Sequence, residues 1–175
     1  MKHVAFLRGI NIGGKNKIKM EALRQLCSAL GYENVATYIN SGNVIFETVT
    51  NNDDRLAAEI EKAIASEFSL KIKVMVRTID EIKDIIKNNP FAGQFENGKD
   101  LHVFFLDKEL PAEKRELLLA NNNENEQFAV RNRQIFCLLR VGFSDSLLGK
   151  DFIGKKLKTP ATARNWRTVK KLVEF

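Results

Sequence analysis

Cysteine, proline, histidine and tryptophan are all scarce in this 175-residue sequence: two, three, two and one. The thiols, Cys27 and Cys137, stand far apart and match neither a metal-binding nor a redox spacing. That excludes a disulfide-stapled scaffold and suits a reducing compartment. Each reads as a buried small hydrophobe, with a cysteine nucleophile as the alternative. His3 and His102 each open an expected strand with no acid or cysteine at ligand spacing, so no metal and no cofactor is expected. The longest apolar runs, "LHVFFL" and "IFCLL", fall far short of the roughly 20 residues that cross a bilayer. The opening "MKHVAFLRGINIGG" has no small-residue cleavage site. A cytoplasmic chain with no membrane partner is therefore expected.

The 44% hydrophobic and 29% charged residues are ordinary for a globular protein, and the net charge is +6. Its distribution is uneven. Residues 1–20 contain five Lys/Arg and no acid, and residues 150–175 carry a net +6, so the stretch between carries −5. Basic ends on a mildly acidic body argue for an anionic partner, or merely for solubility.

Periodicity sets out the fold. "HVAFLRGI" is a buried strand, and "MEALRQLCSALGY" a helix closed by Gly31. "NVATYINSGNVIFET" is a hairpin turning at "NSGN", with Val35, Thr37 and Ile39 toward one face. A helix from about Asn52 carries Leu56, Ile60, Ile64 and Phe68 along one stripe, and "LKIKVMVRT" closes the unit as a strand. This β-α-β-β-α-β order over residues 1–79 is the ferredoxin-like split arrangement. Thr78 and Glu81 form a capping-box pattern ahead of a helix, and residues 80–100 comprise that helix and a connecting loop.

Residues 101–175 repeat the order in part. "LHVFFLD" is a strand, Pro111 opens a helix, "EQFAVRN" and "QIFCLLRV" form a hairpin, and "SDSLLGKDFIGKKL" reads as a helix. No sixth strand is evident. The expected fold is α+β: two related ferredoxin-like β-α-β-β-α units with antiparallel sheets, the second altered, plus a basic C-terminal helix.

Three blocks are chemically odd. In "LRGINIGGKNKIKM", Gly13 and Gly14 can turn their amides toward an anion, with Arg8, Lys15 and Asn11 alongside. The spacing is neither a P-loop nor a dinucleotide fingerprint, which leaves an anion-tolerant loop or a plain connection. In "TARNWRTVKKL", Arg164, Arg167 and Lys171 share one expected helical face, and arginines in a first turn oppose the helix dipole. Either a carboxylate of the fold or a ligand phosphate would compensate them. The turn "NSGN" places Asn43 between two apolar strands. No nucleophile–base motif is present, and the aromatic signature of an RNA-recognition module is missing.

Taken in order, "LRGINIGGKNKIKM", "TYINSGNVIF" and "TARNWRTVKKL" resemble the bacterial domain-of-unknown-function 1697 family across nearly the whole chain. The resemblance implies a cytoplasmic α+β protein with two related halves and supplies no catalytic assignment. The functional expectation is one basic cleft binding a phosphate-bearing ligand, a nucleic acid or a nucleotide. Arg8 and Lys15 would pair with charge, Gly13 and Gly14 donate, Arg164 and Arg167 clamp, and Asn43 and Asn165 orient, with Asn11 also among the ligand-binding residues. An enzyme acting on a small phosphorylated substrate and a module for an acidic protein partner are the alternatives.

Overall fold

The computed structural model describes residues 1–175. They form two compact units, Met1–Asp84 with Leu172–Phe175, and Ile85–Lys171. No helix is long and apolar enough to cross a membrane.

The first unit runs β1 (Lys2–Leu7), α1 (Met20–Ala29), β2 (Glu33–Tyr38), β3 (Asn43–Glu47), α2 (Asp53–Phe68), β4 (Val74–Thr78) and the start of α3 (Ile79–Lys87). Its four strands make an antiparallel sheet in the order β2-β3-β1-β4, the split β-α-β-β-α-β arrangement expected. Ala5, Leu7, Val44, Phe46, Val74 and Val76 on one face of this sheet pack with Leu23 and Cys27 of α1 and with Leu56, Ile60 and Ile64 of α2. Val4, Phe6 and Ile45 on the other face are buried too, which is why β1 and β3 read as continuous apolar runs.

Local signals set the helix ends. Asn52 caps α2 by accepting from the Arg55 amide at 2.9 Å, and Asp53 and Asp54 suit the positive end of its dipole. The Thr78–Glu81 box closes reciprocally, with Thr78 N donating to Glu81 Oε2 at 2.8 Å and Glu81 N to Thr78 Oγ1 at 3.1 Å. Gly31 takes φ +85° after α1, a left-handed stop that glycine adopts without steric cost. Ile39, expected on the strand, instead lies in the β2–β3 turn at φ +52°, about half exposed.

The second unit contains β5 (Leu101–Leu106), α4 (Ala112–Leu119), β6 (Glu126–Arg131), β7 (Gln134–Leu139), β8 (Ala161–Asn165) and most of α5 (Trp166–Leu172). Its sheet order is β6-β7-β5-β8. The strand that the sequence does not announce is nevertheless present, since β8 pairs antiparallel with β5 from Leu106↔Ala161 to His102↔Asn165. "ATARN" carries little strand signal of its own; the open edge of β5 recruits it. The helix expected over "SDSLLGKDFIGKKL" is a short 3-10 turn at Phe143–Asp145 and a π-helical turn at Ile153–Leu157. Gly149, Gly154 and the left-handed Asp151 (φ +61°) break it up. Leu148, Ile153 and Leu157 from this segment nevertheless join Leu118, Phe104, Ile135 and Cys137 in the core.

Each sheet repeats the other's hydrogen-bonding register. Arg77 lies opposite Val4, and Arg164 opposite Val103. Asn43 lies opposite Phe6, and Gln134 opposite Phe105. Leu7 N donates to Gly42 O and Leu106 N to Arg133 O, both at 2.9 Å. The duplicated plan is complete in its strands and differs in the second helix.

Candidate functional site

The loop leaving β1 is a miniature hairpin. Ile12 and Lys15 form an isolated antiparallel bridge, and the Lys15 amide donates to Ile12 O at 3.0 Å. Gly13 and Gly14 between them have φ +56° and +76°, the pair of left-handed residues that a tight hairpin turn requires. The two glycines thus have a conformational reason to be adjacent. Their own amides enter none of the loop's internal hydrogen bonds.

Asn11 locks this hairpin. Its Nδ2 donates to Ile18 O and to Asn40 O, and its Oδ1 accepts from Ile18 N, each at 2.9 Å. The same side chain therefore closes the base of the loop and ties it to the β2–β3 turn. Asn43, fully buried, organises that turn by donating to Tyr38 O at 2.8 Å and to Ser41 Oγ at 3.2 Å. Gly42 at φ +80° sits against Ile10 and Leu7. The "NSGN" turn and the glycine-lysine loop are consequently neighbours.

Around this scaffold Arg8, Lys15, Lys17 and Lys19 are all exposed. None takes part in an ion pair, whereas Lys2, Arg24, Arg55, Lys73 and Lys83 of the same unit each have a carboxylate partner. Clustered cations without acids raise the local positive potential.

Arg164, Asn165 and Arg167 belong to the second unit. Arg164 is not in a helix: it lies on β8, so the expected shared helical face with Arg167 and Lys171 does not form. Its side chain is buried, and Nη1 donates to Thr162 Oγ1 and to Ala163 O, both at 2.8 Å. Burial pushes its pKa down to about 10, which leaves it charged at neutral pH. Asn165 caps α5, its Oδ1 accepting from Thr168 N at 2.9 Å. Arg167 is exposed, and its amide donates to Gly98 O at 3.3 Å.

Sequence reasoning missed Arg77, the register-matched twin of Arg164. Its Nη1 donates to Val76 O at 2.7 Å as Arg164 donates to Ala163 O. A signal for the twin existed: "HVAFL" at residues 3–7 and "HVFFL" at 102–106 differ at one position. Aligning those strands brings the arginines of "VMVRT" and "ATARN" into correspondence.

His3 stacks on Phe46 and His102 lies against Phe143, and burial lowers the pKa of both. Burial also pushes the Cys27 thiol up to about 12 and raises that of Cys137. Neither cysteine is a thiolate at neutral pH, so neither carries a nucleophile's reactivity. Both thiols should stay silent toward an aromatic disulfide reagent in the native protein and react promptly in denaturant. Rapid labelling of native Cys137 would contradict its burial.

The model of a family described as a protein of unknown function (DUF1697) matches residues 1–136, which include the exit loop and the "NSGN" turn. The chain belongs to the DUF1697 family. No curated protein matches it. This DUF1697 chain is also similar to a solved structure, the conserved bacterial protein SP0830 from Streptococcus pneumoniae. The two share 24% identity with a TM-score of 0.80, over 99% of this chain and 97% of that one. At that identity the likeness establishes the fold of this DUF1697 protein, both units included.

Proposed function

We propose that this protein binds a phosphate-bearing ligand, a nucleic acid or nucleotide, on the basic exit loop of its first unit. The observation that carries this reading is the cluster of Arg8, Lys15, Lys17 and Lys19, exposed and without carboxylate partners on a loop held rigid by Asn11. Arg8 and Lys15 pair with phosphates, and the Gly13 and Gly14 amides add neutral donors. Asn11 and Asn43 serve by holding the loop. The buried Arg164 and the capping Asn165 have structural work in their own unit, and Arg167 stands outside this reading.

The test is fluorescence anisotropy of a labelled single-stranded oligonucleotide, with a mononucleotide and inorganic phosphate as competitors. Four neutralised phosphates on a single strand give a log–log salt slope of about −3. Lys15→Ala should reduce that slope by about 1 at an unchanged melting temperature. Saturable phosphate binding with a shallow salt response would instead favour the small-substrate reading. Absence of binding to all three would overturn both.

A second reading, docking of an acidic protein segment, is favoured by one observation. Ile12 and Ile39 are 66% and 47% exposed beside these cations, and Ile39 is a β-branched residue in the left-handed region. Such strain at an exposed apolar residue is a reason to look for a contact there.

A further inference from the structure

The second unit contains an open cavity of about 710 Å³ at the edge where β5 begins and β7 ends, bordered by the loop after α3 and by the residues following β7. Its size is that of a small-molecule site. Leu138 and Leu139 supply buried apolar wall, and Phe95 adds an aromatic side that packs edge-on against Trp166 at 6.3 Å. The charged lining is Glu96, Asp100 and Arg140.

These three groups have an unusual relation. Two carboxylates and a guanidinium line one cavity, yet no salt bridge joins any of them. The backbones of two of them are fixed by the sheet margin: Leu139 N donates to Asp100 O and Arg140 N to Asn125 O, both at 2.8 Å, while Glu96 lies on the loop after α3. Asp100 and Arg140 stand on the sheet margin and Glu96 on the facing loop, and each charge is able to meet a ligand group of opposite sign. The lining carries two negative charges and one positive. A complementary ligand has two cationic groups and one carboxylate on an aliphatic stem that lies along Phe95.

We propose that this cavity binds a basic α-amino acid, its carboxylate on Arg140 and its two cationic ends on Glu96 and Asp100. A planar guanidinium receives a carboxylate through two parallel hydrogen bonds, which sets the ligand's direction in the site. The stem lies along Phe95, the partly exposed apolar side chain of the lining, as long cationic side chains commonly cover apolar surface. This site lies wholly in the second unit and is independent of the phosphate reading.

The intact chain should be titrated calorimetrically with lysine, with leucine, with 1,5-diaminopentane and with glutamate. Trp166, the sole tryptophan, gives a parallel optical signal through Phe95. Lysine is expected to bind at one equivalent. Leucine, lacking the second cation, and diaminopentane, lacking the carboxylate, should each bind at least tenfold more weakly, and glutamate should not bind. Arg140→Ala should weaken lysine tenfold or more while leaving diaminopentane unchanged, and Glu96→Gln should weaken both. Arg140 and Glu96 are exposed, so both variants should melt with the parent. No saturable lysine binding, or binding that both variants leave intact, would overturn the assignment.

Discussion

Gly42→Ala is expected to cost about 2–4 kcal/mol, enough to remove a large part of the stability of an ordinary domain. Two effects combine at this position. The backbone is left-handed at φ +80°, where any Cβ is strained by about 1 kcal/mol. A Cβ there would also lie 2.6 Å from Ile10 Cδ1 and 2.9 Å from Leu7 Cβ. Ile10 and Leu7 are both buried, so neither can swing into solvent, and overpacking adds about 1–3 kcal/mol. Gly13→Ala is the control. Gly13 has φ +56° but no atom within 4 Å of a new Cβ, so only the conformational strain applies. Thermal melting should therefore show a much larger drop for Gly42→Ala than for Gly13→Ala. Equal drops would mean that Ile10 yields and that the turn does not press on the exit loop. Because Asn11 ties the same two segments together, Gly42→Ala should also loosen the loop proposed to hold phosphate.

The second large effect is expected at Arg164. Arg164→Ala should destabilise by about 2–4 kcal/mol, whereas Arg167→Ala should stay within about 0.5 kcal/mol. The guanidinium of Arg164 is buried on the face of β8 opposite Ala161 and Ala163, which pack on the core, and its removal deletes the hydrogen bonds to Thr162 Oγ1 and Ala163 O and opens a cavity where a long side chain had been. Arg167 is exposed and contributes its backbone amide, which alanine retains. Arg77→Ala should behave like Arg164→Ala, because the two occupy the same register on equivalent strands. Chemical denaturation of the three variants separates the cases. A folded Arg164→Ala protein of parental stability would show that burial at β8 is not what retains this arginine.

Two elements mark where sequence reading worked and where it stopped. The Thr78–Glu81 box and the Asn52 cap were readable because each is satisfied by partners three residues away in the chain. The last helix begins at Trp166, two residues later than its period predicts, for the opposite reason. "TARNWRTVKKL" has a plausible helical period, but Ala161–Asn165 is claimed by β5, a strand some 60 residues earlier in the chain. That one pairing makes the expected helical arginine clamp a buried strand residue, and it supplies the fourth strand of the second unit.

The candidate site divides along the same line. The glycine pair, the lysines without acids and the polar turn were visible as composition. That Asn11 bridges the exit loop to the β2–β3 turn was not, since its partners Ile18 and Asn40 are set by folding. The cavity lined by Glu96, Asp100 and Arg140 left no motif at all, because its walls come from three separate segments.

By itself, then, the sequence determined the two-fold β-α-β-β order, the apolar faces of its helices and the sign of charge at its ends, since these follow from periodicity and neighbours along the chain. Only the tertiary structure decided which arginines are buried, which asparagines are clamps and where charges of opposite sign share a cavity. Those outcomes depend on strand pairing between distant residues, and the free energy of burying a charged or polar group is set by what surrounds it in space.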